Sequence, residues 1–156
     1  MDVCFDKIVN FRNLCKMFYM TYRTQLGQLG EDIACEYLVE NKYKLIERNF
    51  RQKWGEIDII AKAPDKTLVF VEVKTVTGVK CETNETISAE DQLTGAKLTK
   101  LQRTASLYAN HNSKIVDDEK GWRIDLLAIT ININSELAEP LTISKKDYVI
   151  KHYENI

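Results

Sequence analysis

The stretch "GEIDIIAKAPDKTLVFVEVKT", residues 55–75, decides the fold. Its first half alternates, which predicts Ile57 and Ile59 on one strand face and Glu56, Asp58 and Ile60 on the other. Pro64 presets a bend in "PDK". "TLVFVEVKT" then returns as an apolar run of the kind that fills a central strand. The whole reads as a β-hairpin. Glu72 and Lys74 stand near its end, where burial penalises both charges.

Working outward, "YKLIERNF" is a short strand candidate on the amino-terminal side. Before it, "GQLGEDIACEYLVENKY" carries Leu29, Ile33, Ala34, Tyr37 and Leu38 at helical spacing, which predicts a helix over about 27–41. Gly27 and Gly30 suit its start, with Glu31 and Asp32 in a first turn where the helix dipole favours acids. After the hairpin, residues 76–91 are polar and irregular and predict a loop. Helical spacing returns from Gln92 to Lys114 through Leu98, Leu101, Ala105 and Tyr108. "GWRIDLLAITINI" reads as a buried strand, and two short β-prone pieces follow, Leu141–Ile143 and Tyr148–Tyr153. The order is helix, three strands, helix, strand and a strand-rich tail. That is a mixed α/β domain with helices packed on a central sheet.

A length of 156 residues fits one domain, and 44% hydrophobic with 29% charged residues fits an ordinary globular chain. The net charge of -1 excludes general electrostatic attraction to nucleic acid, so any such binding needs a local basic patch. Cys4, Cys15, Cys35 and Cys81 are scattered, and His111 and His152 are the only histidines, so zinc-ligand spacing is absent. Reduced thiols in a cytoplasmic protein are the expectation. No apolar run approaches the ~20 residues of a membrane span, and no membrane partner is expected. Residues 1–25 interrupt their apolar positions with Asp6, Lys7, Arg12 and Lys16, and read as a leader or short amphipathic helix before a domain over 26–156. Glycine-rich phosphate loops are absent, and two histidines give little basis for a nucleophilic relay.

Side chains two apart on a strand share a face, so Glu72 and Lys74 point together, as Glu56 and Asp58 do. If the hairpin shares that face, Asp58, Glu72 and Lys74 meet at one end of the sheet. Two carboxylates about 5 Å apart repel by roughly 3 kcal/mol at an effective dielectric near 20. A divalent cation that prefers oxygen offsets this best, and Mg²⁺ (or Mn²⁺) suits one or two carboxylates plus water. Asp58 and Glu72 are then the candidate metal ligands, with Lys74 beside a metal-activated water. The competing reading is a solvated strand edge, and Glu56, the other candidate accessory acid, fits that reading when taken alone. Glu31 is either a helix cap or an accessory ligand. Asp125 shares a strand face with Arg123, which predicts a local ion pair.

No Asp or Glu occurs between Gln92 and Lys114, whereas Lys97, Lys100 and Arg103 lie along one flank of the apolar stripe. They are either phosphate contacts or a solvated face.

The segments "GQLGEDIACEYL", "RNFRQKWGEIDIIAK", "LVFVEVKT", "ISAEDQLTGAKLTKLQRTASLY", "WRIDLLAI" and "IKHYENI" occur in one order. From about Gly27 onward this resembles the YraN family of small bacterial proteins, similar to endonucleases of the PD-(D/E)XK superfamily. The resemblance implies a restriction-endonuclease-like core and a metal-dependent DNA endonuclease, with branched or otherwise structured DNA as a candidate substrate. It implies Asp58, Glu72 and Lys74 as catalytic acid, acid and lysine, Glu31 as an assisting acid, and Lys97 as a basic helix position. DNA is the implied partner, with a homodimer as an open alternative. The chain departs from the family in having Leu98 after Lys97 and an acidic segment after the lysine strand. Those departures keep a second function class open, a nuclease-shaped adaptor for DNA or protein.

Overall fold

The computed structural model describes residues 5–78, 94–132 and 144–156, with side chains described from residue 22 onward. A mixed five-stranded sheet has the order β1-β2-β3-β4-β5, formed by Lys44–Gln52, Gly55–Lys62, Leu68–Gly78, Trp122–Asn132 and Tyr148–Tyr153. Helices α1 (Phe5–Glu40) and α2 (Gly95–His111) cover its two faces. β1, β2 and β3 form antiparallel hairpins, β3 and β4 run parallel, and β5 returns antiparallel beside β4. Parallel neighbours need a crossover, and α2 supplies it. This is the α/β arrangement of a restriction-endonuclease-like core.

Each face of the sheet owns one apolar cluster. Leu26, Ile33, Ala34 and Leu38 of α1 pack on Ile59, Val71, Val73, Leu127 and Ile129. Leu101, Ala105, Tyr108 and Ala109 of α2 pack on Ile57, Ile60, Leu68, Phe70 and Ile124. β3 is buried on both faces from Leu68 to Val73, which is why it reads as a continuous apolar run rather than an alternation.

Three expectations change. α1 begins at Phe5, not near Gly27. Gly30 is a packing glycine and not a start signal, since a Cβ there would lie 1.8 Å from Thr75 Oγ1. Its absence lets α1 approach β3 closely. Glu31 and Asp32 are therefore mid-helix, and the capping role for Glu31 does not hold. β3 runs on to Gly78, so Val76, Thr77 and Gly78 belong to the sheet and not to a loop. The remainder of that predicted loop and the piece Leu141–Ile143 lie outside the described residues. Among the described residues no helix is long and apolar enough to cross a membrane.

Candidate active site

β2 and β3 pair only from Ile59↔Val71 to Lys62↔Leu68, and beyond that rung the ladder opens. Asp58 and Glu72 are the next residues on each strand. Asp58 fills the gap with its side chain, its Oδ2 accepting a 2.8 Å hydrogen bond from the Val73 backbone N–H.

The local backbone explains how Asp58 gets there. Ile57 joins the α2-side cluster and Ile59 the α1-side cluster, although a regular strand would put both on one face. The predicted alternation through Ile57 and Ile59 is therefore broken at Asp58. Across the β1–β2 ladder, between the paired residues Arg48↔Ile59 and Phe50↔Ile57, Asn49 sits at φ 53 in the left-handed region that asparagine tolerates. The Asn49 amide nitrogen also donates to Glu31 Oε2 at 2.8 Å, which brings the α1 acid to this end of the sheet.

Glu72 continues the α2-facing row of Leu68 and Phe70 but lies past the apolar cover of the helix. It is only 3% exposed. Its Oε1 accepts from two ammonium groups, Lys74 on its own strand and Lys97 at 2.7 Å from the first turn of α2. Thr94 caps that turn, accepting from the Lys97 backbone N–H.

The electrostatics follow from this crowding. Burial, then the neighbouring Glu72 charge, pushes the Asp58 carboxyl up to about 6, against the Val73 hydrogen bond and Lys74. Glu31 adds a smaller push in the same direction. Burial pulls the Lys74 ammonium below its usual range despite the bond to Glu72. Burial also works against Lys97, but the bond to Glu72 and the Asp58 and Glu72 charges outweigh it and hold it up.

The structure thus brings Asp58, Glu72 and Lys74 together, adds Lys97, and sets Glu31 close by. It leaves Glu56 exposed opposite Arg51, apart from this hydrogen-bonded group. Lys100 and Arg103 are exposed on α2. The donor set suits a hard cation, with carboxylate oxygens on two fixed strands and no thiol or imidazole among them. Among the described residues no group of three or more His, Cys, Asp or Glu side chains is placed to hold a metal, so the two carboxylates would be its main protein ligands.

A second polar network lies on the α1 face. Asp125, fully buried, accepts from Arg123 Nε at 2.9 Å, as the sequence predicts. It also meets His152 Nε2 at 3.1 Å and accepts from the Asn155 N–H at 2.9 Å. Arg123 reaches Tyr43 and Glu154 at 3.1 and 3.2 Å. These bonds join β4, the connection between α1 and β1, and β5 with the residues after it. Only the local Arg123–Asp125 pair has a spacing signal; His152 and Asn155 arrive through β5 pairing and carry none.

The model for the uncharacterised protein family UPF0102 matches residues 30–129. The chain belongs to UPF0102. This is the YraN family whose segments the sequence carries. Its matched span contains Glu31, Asp58, Glu72, Lys74, Lys97 and Asp125. A UPF0102 protein of Campylobacter concisus is 38% identical over 117 residues, covering 75% of this chain and 93% of the relative. One from Corynebacterium efficiens is 33% identical over 138 residues, covering 87% and 94%. A third, from Campylobacter lari, is 40% identical over 104 residues, covering 66% and 81%.

Proposed function

We propose that this UPF0102 protein is a Mg²⁺- or Mn²⁺-dependent DNA endonuclease that hydrolyses phosphodiester bonds. One observation carries the reading. Asp58 and Glu72 leave paired strands at the point where the ladder opens, and burial, together with the repulsion between them, raises the Asp58 carboxyl to about 6. Perturbed carboxylates gather at functional sites, and a bound cation would relieve the repulsion between these two.

Asp58 and Glu72 would hold the ion, which when bound would lower the pKa of a water and offset charge at phosphorus. Lys74, its ammonium destabilised by burial, is suited to orient a water and to meet negative charge as it develops. Lys97 sits within reach of the same carboxylate and can turn toward a phosphate, with Lys100 further along the helix. Glu31, held by Asn49, adds negative potential without entering the ion pairs of Glu72. The reading implies a cytoplasmic protein, where its DNA would be.

The test is direct. Purified full-length protein should nick or cut at least one of a panel of single-stranded, duplex and branched DNAs with Mg²⁺ or Mn²⁺. Asp58→Ala and Glu72→Ala should each lower the rate by at least a hundredfold while remaining folded. Cleavage by either variant at the parent rate would refute the assignment.

A second reading rests on Glu72 itself. Its charge is already met by Lys74 and Lys97, so the site is stable without an ion and suits a binding adaptor. An adaptor would bind DNA or protein with no gain in thermal stability on adding Mn²⁺, whereas an enzyme site gains by mass action.

A further inference from the structure

The tip of the β1–β2 hairpin is the other unusual feature near this site. Gln52 pairs with Gly55, which leaves Lys53 and Trp54 alone in the turn. Trp54 is 41% exposed, a large indole left in solvent at a position usually given to small polar residues. The tip is nevertheless fixed. A Cβ on Gly55 would lie 2.0 Å from Thr104 Oγ1, so the hairpin presses directly on α2. Thr104 is fully buried and donates to the Lys100 carbonyl at 2.8 Å, one helical turn back. Lys100 and Thr104 share a side of the helix, so the exposed Lys100 flanks the same hairpin tip.

From there the line to the chemistry is short. Lys97 lies one turn further toward the amino end of α2 and holds Glu72 at 2.7 Å. Seven residues of helix, from Lys97 to Thr104, span about 10 Å. The path between is positively charged, with Lys53 at the tip and no acid anywhere on α2. Glu56, beside the tip, faces Arg51 across the ladder.

We infer that Trp54 is a stacking platform for an unpaired base, and that the substrate is DNA with a single-stranded segment close to the scissile phosphate. The placement of that phosphate rests on the hydrolase reading above; the stacking contact does not. A duplex buries its base faces and offers an indole nothing to stack on, whereas every unpaired base presents a π-face. The lysines supply the backbone attraction, and the aromatic ring supplies the preference for single strands.

The experiment uses the full chain carrying Trp122→Phe, so that Trp54 is the sole indole, in EDTA to prevent hydrolysis. Oligothymidylate should quench Trp54 emission saturably, and a blunt duplex of equal length should not. Trp54→Ala should weaken oligothymidylate binding roughly 5- to 150-fold, the range for loss of one stacked base. Trp54→Phe should recover most of it, and duplex affinity should not change in either variant. Unchanged emission on single-strand binding, equal affinity in Trp54→Ala, or no single-strand binding at all would each overturn the inference. The two claims fail separately. Metal-dependent cleavage that ignores Trp54 would leave the hydrolase and remove the platform. Quenching without cleavage on any DNA would do the reverse.

Discussion

The Asp58 carboxylate takes the place of a missing sheet rung, its Oδ2 accepting from the Val73 N–H at 2.8 Å across 15 residues of chain. That one bond ties the acid of β2 to the strand that carries Glu72 and Lys74. It also keeps Asp58 beside Glu72 in spite of their mutual repulsion.

The strain of that arrangement is measurable in the absence of metal. Burial and the Glu72 charge raise the Asp58 carboxyl from its ordinary 3.8 to about 6, so the native state holds this proton more tightly than the unfolded chain does. Its contribution to stability is present below the lower value and is lost as pH rises through the higher one. Asp58→Asn keeps an oxygen for the Val73 N–H but removes the charge. In EDTA at neutral pH it should be more stable than the parent by on the order of 1–3 kcal/mol in urea unfolding. Below the unfolded carboxylate pKa the difference should vanish.

Asp125 predicts the opposite slope. Burial pushes its carboxyl up, but the bonds from His152, Arg123 and the Asn155 N–H outweigh burial and hold it below the usual range. Its contribution is therefore present above the unfolded pKa and lost as pH falls through the lower folded value. Asp125→Asn should cost about 3–5 kcal/mol at neutral pH, as expected when one partner of a buried pair is removed. Acid titration of unfolding free energies should show parent and variant converging.

The two glycines of α1 separate packing from propensity. Gly30→Ala drives a Cβ into Thr75 Oγ1 and should destabilise by about 1–3 kcal/mol. Gly27 has no atom within 4 Å of such a Cβ, so Gly27→Ala should be neutral or stabilise by up to about 1 kcal/mol. Thermal unfolding of the two variants side by side decides it.

Much of this is legible in the sequence. The alternation and the turn at Pro64 place β2 and β3, and their register brings Asp58, Glu72 and Lys74 to one place. What escaped has physical reasons. Period-2 reading assumes a regular strand, and the break at Asp58 lies across the ladder from Asn49 at φ 53, an irregularity with no local signal in β2. Gly30 looks the same in sequence whether it opens a helix or admits a threonine from β3. The basic flank of α2 leaves Lys97 either a phosphate contact or part of a solvated face, and its reach to the buried Glu72 carries no sequence signal, because only the packing of α2 sets which lysine meets the sheet. His152 joins Asp125 through the pairing of β4 with β5, a contact between residues 27 apart that no local spacing encodes.

Calorimetric titration with Mn²⁺ at neutral pH, repeated below the Asp58 pKa, tests the central claim most directly. The parent should bind saturably at neutral pH and more weakly in acid, where the Asp58 proton competes with the ion, while folded Asp58→Ala and Glu72→Ala should not bind. A parent that takes up no Mn²⁺, or variants that bind it as the parent does, would contradict the account.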